Sequence, residues 1–305
     1  DTGVGVHPWL TGVVNETVTL DGTPIGYTDP ATDPEQNPDQ EGPLDGGLDA
    51  SSGHGTFIAG LIHQACPDAD IISWRLIPSE GPLAESEVMA TLAQVLELVT
   101  RYFDGRTDGQ RIDVLSLSYG FFHESAAHTA SELQLRTMLR ALSVMGTVVV
   151  CAAGNEATAR PRYPAAFGPW RNDPSATLNA AELPIVSVGA LNPNGTEALF
   201  SNTGPWVRAW ATGAALVSTI PSFKGGYLPS ARIRYEGRIR EGIDPDDFTG
   251  QFATWSGTSF SAPLIAGRIA ARLLKTMPGD EATHRATSVT RAWSCVAAET
   301  DIVAP

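Results

Sequence analysis

The chain is poor in several residue types, and each shortage closes off a class of protein. It has three cysteines, Cys66, Cys151 and Cys295. An odd, low count builds no disulfide framework. Cys151 lies in the run TVVVCAAGN and reads as a small buried hydrophobe. Spacing alone neither makes nor breaks a Cys66–Cys295 pair. Lysine is almost absent, with only Lys224 and Lys275, and no Lys or Arg precedes Arg75. We read this as a compositional bias. The net charge of −14 argues against nucleic acid, whose phosphates require a basic face. No apolar run reaches the length of a membrane span, and no signal-peptide pattern opens the sequence. The histidines form no HExxH or comparable pair, which disfavours a metalloenzyme. His63 reads as a helix-surface residue, and His123 and His128 as exposed loop and helix-start residues. With 42% hydrophobic residues, the chain has enough apolar material for a full core.

Short apolar runs alternate with amphipathic ones. Residues 86–103 and 131–146 have helical periodicity, and Gly146 closes the second. Residues 112–120, 147–155 and 183–191 read as buried strands. A further helix follows Ser259, with Leu264, Ile265, Ile269, Leu273 and Leu274 as its apolar stripe, Ser261 as a candidate cap and Pro263 in its first turn. The pattern predicts one α/β domain over residues 1–305, with a mostly parallel central sheet and helices on both faces. In such sheets ligands bind beyond the carboxyl ends of the strands. Two segments break the rhythm. Residues 27–50 form an acidic stretch, either a solvated loop or a calcium site. Residues 222–252 carry RIRYEGRIR, a strand–turn–strand excursion that is either a substrate-side flap or a surface hairpin.

Four small-residue turns carry the chemistry: DTG at Asp1, SGHGT around His54, AAGN ending at Asn155, and GTSFSAP around Ser259. A lone serine at a helix start is usually a cap, and a lone histidine usually a satisfied structural residue. Together they supply what nucleophilic catalysis needs. A serine hydroxyl requires a base, and histidine titrates near neutrality. The histidine requires a carboxylate to hold its tautomer, and the tetrahedral intermediate requires donors for its oxyanion. Asp1, His54, Asn155 and Ser259 provide one of each. The N–H of Ser259 at a helix start is a second oxyanion donor.

The order Asp, His, Ser, with HGTFIAG (54–60) and GTSFSAP (257–263), resembles the subtilisin-like serine peptidases, or subtilases. His54–Gly60 matches the pattern H-G-T-x-x-A-G. Gly257–Pro263 matches G-T-S-M-[SA]-x-P except that Phe260 stands for Met. Ala153-Gly154-Asn155 matches the oxyanion segment. Ser118-Tyr119-Gly120 matches the S-x-G stretch whose backbone pairs with substrate as an added strand. The resemblance spans essentially the whole chain. It implies a three-layer sandwich, and a pocket for the residue before the scissile bond walled by Ser118, Tyr119, Gly120, Ala153 and Gly154. Tyr119 reads equally well as core.

The family is mostly extracytoplasmic and commonly binds structural calcium, for which this sequence assigns no ligands. No cofactor is required for the chemistry. In the family an apolar strand precedes the catalytic Asp. Asp1 is the first residue here, so the expectation is a piece of a longer chain, with a propeptide or N-terminal segment supplying the missing strand. The reading that results is a serine endopeptidase acting on polypeptides through an acyl-enzyme. The alternative is an inactive or partner-activated scaffold of the same fold. A pseudoenzyme usually lacks one of the four polar residues, and all four are present. An α/β-hydrolase esterase would require G-x-S-x-G and the order Ser, acid, His, and the chain has neither around Ser259.

Overall fold

The computed structural model describes residues 1–42, 44, 48–78, 83–123, 130–173, 178–223, 232–241, 248–276 and 284–305. Along the chain run β1 (Val14–Asn15), β2 (Thr19–Leu20), β3 (Thr23–Pro24), α1 (His54–Ala65), β4 (Ile71–Ile72), α2 (Glu85–Phe103), β5 (Val114–Leu117), α3 (Ala130–Val144) and β6 (Val148–Ala152). There follow β7 (Val186–Leu191), β8 (Ala209–Thr212), β9 (Leu216–Thr219), β10 (Arg232–Tyr235), β11 (Arg238–Glu241), β12 (Phe252–Trp255), α4 (Thr258–Thr276) and α5 (Arg285–Glu299).

The residues group into two compact units. The first comprises Asp1–Leu61, Asp70–Val88 and Val217–Thr254. In it β1 pairs in parallel with β4, Val14 opposite Ile71. β10 and β11 form the predicted hairpin, with Tyr235 opposite Arg238. Its turn residues Glu236 and Gly237 have φ of 48° and 76°, the left-handed pair that a two-residue hairpin turn needs. Residues 224–231 and 242–247 of the same excursion lie outside the described residues.

The second unit comprises Ile62–Ala69, Met89–Leu216 and Trp255–Pro305. Its sheet has the order β5-β6-β7-β8, and every pairing is parallel. Side chains alternate across a strand. Val148, Val150 and Ala152 of β6 therefore share one face, where they pack with Ile265, Ile269 and Leu273 of α4 and Val289, Trp293 and Val296 of α5. Val149 and Cys151 point to the other face and are also fully buried. Both faces are thus covered, which is why β6 is continuously apolar instead of alternating. The architecture is the expected α/β sandwich with a parallel sheet. The strands are shorter than the apolar runs, because residues 118–120 and 153–155 leave the sheet as loops. β8 and α5 escaped the sequence reading: AWAT is too short to read alone, and α5 is mostly small and polar.

Several expectations need correction. Helix α4 begins at Thr258, so Pro263 lies inside the helix and not in its first turn. Ser261 does not cap it: the side chain is fully buried, and its Oγ has no hydrogen-bond partner among the described residues. Leu274 is exposed, outside the buried stripe. All three cysteines are buried and free, so Cys66 and Cys295 do not pair. His123 is half-buried, stacked on Tyr163 with ring centroids 3.8 Å apart. His128 lies outside the described residues. Among those described, no helix is long and apolar enough to cross a membrane.

Candidate active site

His54 opens α1 directly after Gly53, whose φ of 82° suits glycine alone at so tight a turn. Gly55 is needed for a different reason. A Cβ there would lie 1.9 Å from the Gly3 carbonyl oxygen, so the segment bearing Asp1 runs directly against the helix start. This contact brings the first two motifs together: His54 Nδ1 lies 2.8 Å from Asp1 Oδ1. The same oxygen accepts the Thr2 backbone N–H at 2.8 Å. An ionised carboxylate only accepts, so Nδ1 carries the proton and Nε2 is the basic ring nitrogen. The two side chains are 16% and 21% exposed. Burial pushes the His54 pKa down to about 3 and keeps the resting ring neutral. The adjacent carboxylate acts in the opposite sense and stabilises the cation once it forms.

Behind this pair lies a residue that the sequence did not single out. Glu35 is 3% exposed. Its Oε1 accepts the Thr2 hydroxyl at 2.5 Å and the Gly55 N–H at 3.2 Å, and its Oε2 accepts the Thr56 hydroxyl at 2.5 Å. One carboxyl group thus ties the residue after Asp1 to the two residues after His54. Burial raises its pKa to about 7, against these three donors. Glu35 belongs to the acidic stretch, which is more than a solvated loop. Arg75, the first basic residue of the chain, donates from Nη2 to Asp29 O at 2.7 Å, from Nε to Tyr27 O at 3.3 Å, and from Nη1 to Thr32 O. Asp49 accepts the N–H groups of Gln40 and Glu41. Residues 43 and 45–47 of this stretch lie outside the described residues. Among the described residues, no group of three or more His, Cys, Asp or Glu side chains could hold a metal ion.

In the second unit, Ser259 is half-buried in the first turn of α4, between buried Thr258 and Phe260. Asn155 is exposed, just past β6. Its Oδ1 accepts both the N–H of Thr258 at 2.8 Å and the Thr258 hydroxyl at 3.0 Å. The Thr258 oxygen in turn accepts the Gly154 N–H at 2.9 Å. The amide oxygen is therefore used on an orphan N–H of the helix start, which leaves Nδ2 as the outward donor. Within GTSFSAP, Thr258 thus ties the loop of Asn155 to the start of α4. Asn202, which no motif marks, is fully buried and shapes the same loop. It donates to Ala153 O at 2.9 Å and Glu156 Oε2 at 2.5 Å, and accepts the N–H groups of Glu156 and Thr158, each at 3.1 Å. Its only sequence signal is the turn-type string SNTG.

Pro263 explains a further contact. It has no N–H to offer the carbonyl four residues back, which is that of Ser259. The Ser118 hydroxyl donates to that oxygen instead, at 3.1 Å. The loop after β5 is thereby tied to the helix of the serine. Phe260, the departure from the motif, is 1% exposed and packs on Trp255 with centroids 5.1 Å apart. The Tyr119 hydroxyl is buried without a hydrogen-bond partner among the described residues, and burial pushes its pKa up. That places its hydroxyl in the interior, although the residue as a whole is half-buried. Gly120, Ala153 and Gly154 border the strand exits, and the last two are buried. Asp1 and His54 thus meet directly in the first unit. Ser118, Gly154, Asn155 and Ser259 are joined in the second.

The subtilase family model matches residues 1–300. The chain is 23% identical over 233 residues to the intracellular serine protease of Paenibacillus polymyxa, covering 72% of this chain and 53% of that protein. It is 26% identical over 286 residues to the serine protease AprX of Bacillus subtilis (strain 168), covering 91% and 56%. It therefore spans about half the length of these curated relatives. Among solved structures, a cold adapted subtilisin-like serine proteinase superposes with a TM-score of 0.56 at 20% identity, covering 95% of this chain and 77% of the other. With the family pattern matched along nearly its whole length, the chain belongs to the subtilase family.

Proposed function

We propose that the protein is a serine endopeptidase in which Ser259 is the nucleophile, His54 the general base and acid, and Asp1 the residue that orients His54. The observation that carries this reading is the 2.8 Å contact between Asp1 Oδ1 and His54 Nδ1, which fixes the tautomer a base requires. Ser259 attacks the scissile carbonyl while its proton passes to His54 Nε2. The tetrahedral oxyanion takes hydrogen bonds from Asn155 Nδ2 and the Ser259 N–H. His54 then protonates the leaving amine, and water hydrolyses the acyl-enzyme by the same route in reverse. The orientation of the Asn155 amide supports its role, because the helix start already occupies its oxygen. The substrate is a polypeptide whose backbone pairs with Ser118–Gly120 beside Ala153 and Gly154. No metal enters the chemistry.

The test is labelling of the purified protein with a fluorophosphonate, followed by mass spectrometry of the peptide. Label on Ser259 that disappears in His54→Ala supports the reading. Folded wild-type protein that takes no label would leave the subtilase scaffold without its chemistry.

A further inference from the structure

The cleft between the loops that follow β5 and β6 is occupied by a side chain. Leu117 and Cys151 are in register at the ends of these neighbouring strands, so Gly120 and Gly154 lie on adjacent strand exits. Arg162 runs between the two glycines. A Cβ at Gly154 would lie 2.6 Å from Arg162 Cδ, and one at Gly120 would lie 3.1 Å from Arg162 Nε and 3.2 Å from Cγ. The guanidinium Nη2 donates to Gly120 O at 3.0 Å. Nε is buried and has no hydrogen-bond partner among the described residues. The nearest acidic group, Glu156, leaves its Oε1 3.6 Å from Nε, and its Oε2 is held by Asn202. Arg162 thus packs against both glycines, although the nearest atom to a Cβ at Gly120 would be the Tyr163 carbonyl oxygen at 2.8 Å, and to one at Gly154 it would be Asn202 Nδ2 at 2.4 Å. The arginine keeps one donor without a hydrogen bond among the described residues.

The cleft adjoins the serine's helix. Gly154 is bonded to Thr258, and Ser118 to the Ser259 carbonyl. In the proposed reading Ser118–Gly120 and Ala153–Gly154 wall the pocket for the residue before the scissile bond, so an acyl group at Ser259 would set its side chain beside Arg162. A large apolar side chain entering there must displace Arg162 or bury its charge against hydrocarbon, which is costly. A carboxylate instead pairs with the guanidinium, whose side chain is 18% exposed, and a small shift of Arg162 would give the enclosed Nε the acceptor it lacks. We propose that Arg162 determines specificity, making the cleft select an acidic side chain, aspartate or glutamate, immediately before the scissile bond. This inference rests on the peptidase reading for its substrate, but peptide binding can test it without any turnover.

The experiment uses the Ser259→Ala protein and three peptides identical except for Glu, Gln or Leu at the residue before the bond, with affinities measured by calorimetry. The Glu peptide should bind at least about tenfold more tightly than the Leu peptide, with Gln between them. Arg162→Lys, which keeps the charge but loses the planar donor, should reduce this ratio, and Arg162→Ala should abolish it. Glu156→Gln should increase it by removing the competing carboxylate. Equal or tighter binding of the Leu peptide, or no binding of any peptide, overturns the proposal, and the peptide series in the Ser259→Ala background decides it even if the Arg162 variants fail to fold. In the active protein the same order should hold in kcat/KM. Selective binding without turnover would count against the peptidase reading alone.

Discussion

The corner that holds His54 and the turn that holds Ser259 are built by different forces. Around His54 the positioning is polar. A buried carboxyl group, two threonine hydroxyls and a helix N–H link Asp1's neighbour to the start of α1. Around Ser259 the positioning is mainly apolar. Helix α4 buries Ile265, Ile269 and Leu273 on the sheet, and one amide and two hydroxyls then complete its N-terminus. A polar corner is sensitive to single atoms and to pH, because a buried group left without its partner costs its full desolvation. An apolar support is sensitive to volume and nearly indifferent to pH.

Function should fail in either region, so activity gives the largest effects and does not separate them. Replacing Ser259 or His54 with Ala should reduce turnover about 10⁶-fold, and Asn155→Ala about 10²–10³-fold, measured as kcat on a peptide substrate. Stability does separate the regions. Glu35→Ala leaves the Thr56 hydroxyl without its acceptor, while the Gly55 N–H keeps Thr2 Oγ1 at 2.7 Å and the Thr2 hydroxyl can turn to Asp1 Oδ1 3.2 Å away. It should cost about 2 kcal/mol in urea unfolding, whereas Asn155→Ala, which removes a helix-start cap on the exposed loop, should cost about 1 kcal/mol. Equal losses would erase the distinction.

The contrast also has a pH signature. The Glu35 carboxyl group binds its proton more tightly in the folded state, with its pKa raised from 4.5 to about 7. Its contribution is therefore fully present below about pH 4.5 and is lost as pH rises through 7. The difference in unfolding free energy between wild type and Glu35→Gln should thus change by a few kcal/mol between pH 4 and pH 8, with wild type losing relative stability as pH rises. A difference that is flat across that range would refute it. The smallest effect tests the other region. Ser118→Ala removes the partner of the Ser259 carbonyl and should cost about 1 kcal/mol, but less in a Pro263→Ala background, where a restored N–H can take that oxygen. A double-mutant cycle should give a coupling of about 0.5–1 kcal/mol.

Legibility in the sequence follows the same division. The strands β5, β6 and β7 and the helices α2, α3 and α4 could be read because burying apolar faces imposes a period on the residues. The Asp1–His54 contact could be anticipated from the motifs, and Gly55 shows why glycine must follow the histidine: Gly3 passes too close for a side chain. Glu35 could not be anticipated, since one glutamate in an acidic stretch looks like its neighbours until the chain folds it under Thr2 and Thr56. Arg162 and Asn202 were hidden for the same reason. The pairing of Ser118 with the Ser259 carbonyl is a consequence of Pro263, yet the partner lies 141 residues away in sequence. The sequence by itself determined strands β5, β6 and β7, helices α2, α3 and α4 and the four turns to which the chemistry is assigned, because periodicity and turn residues act over a few positions. Only the tertiary structure decided which buried polar atoms meet, because those contacts join residues remote in sequence and leave no periodic trace.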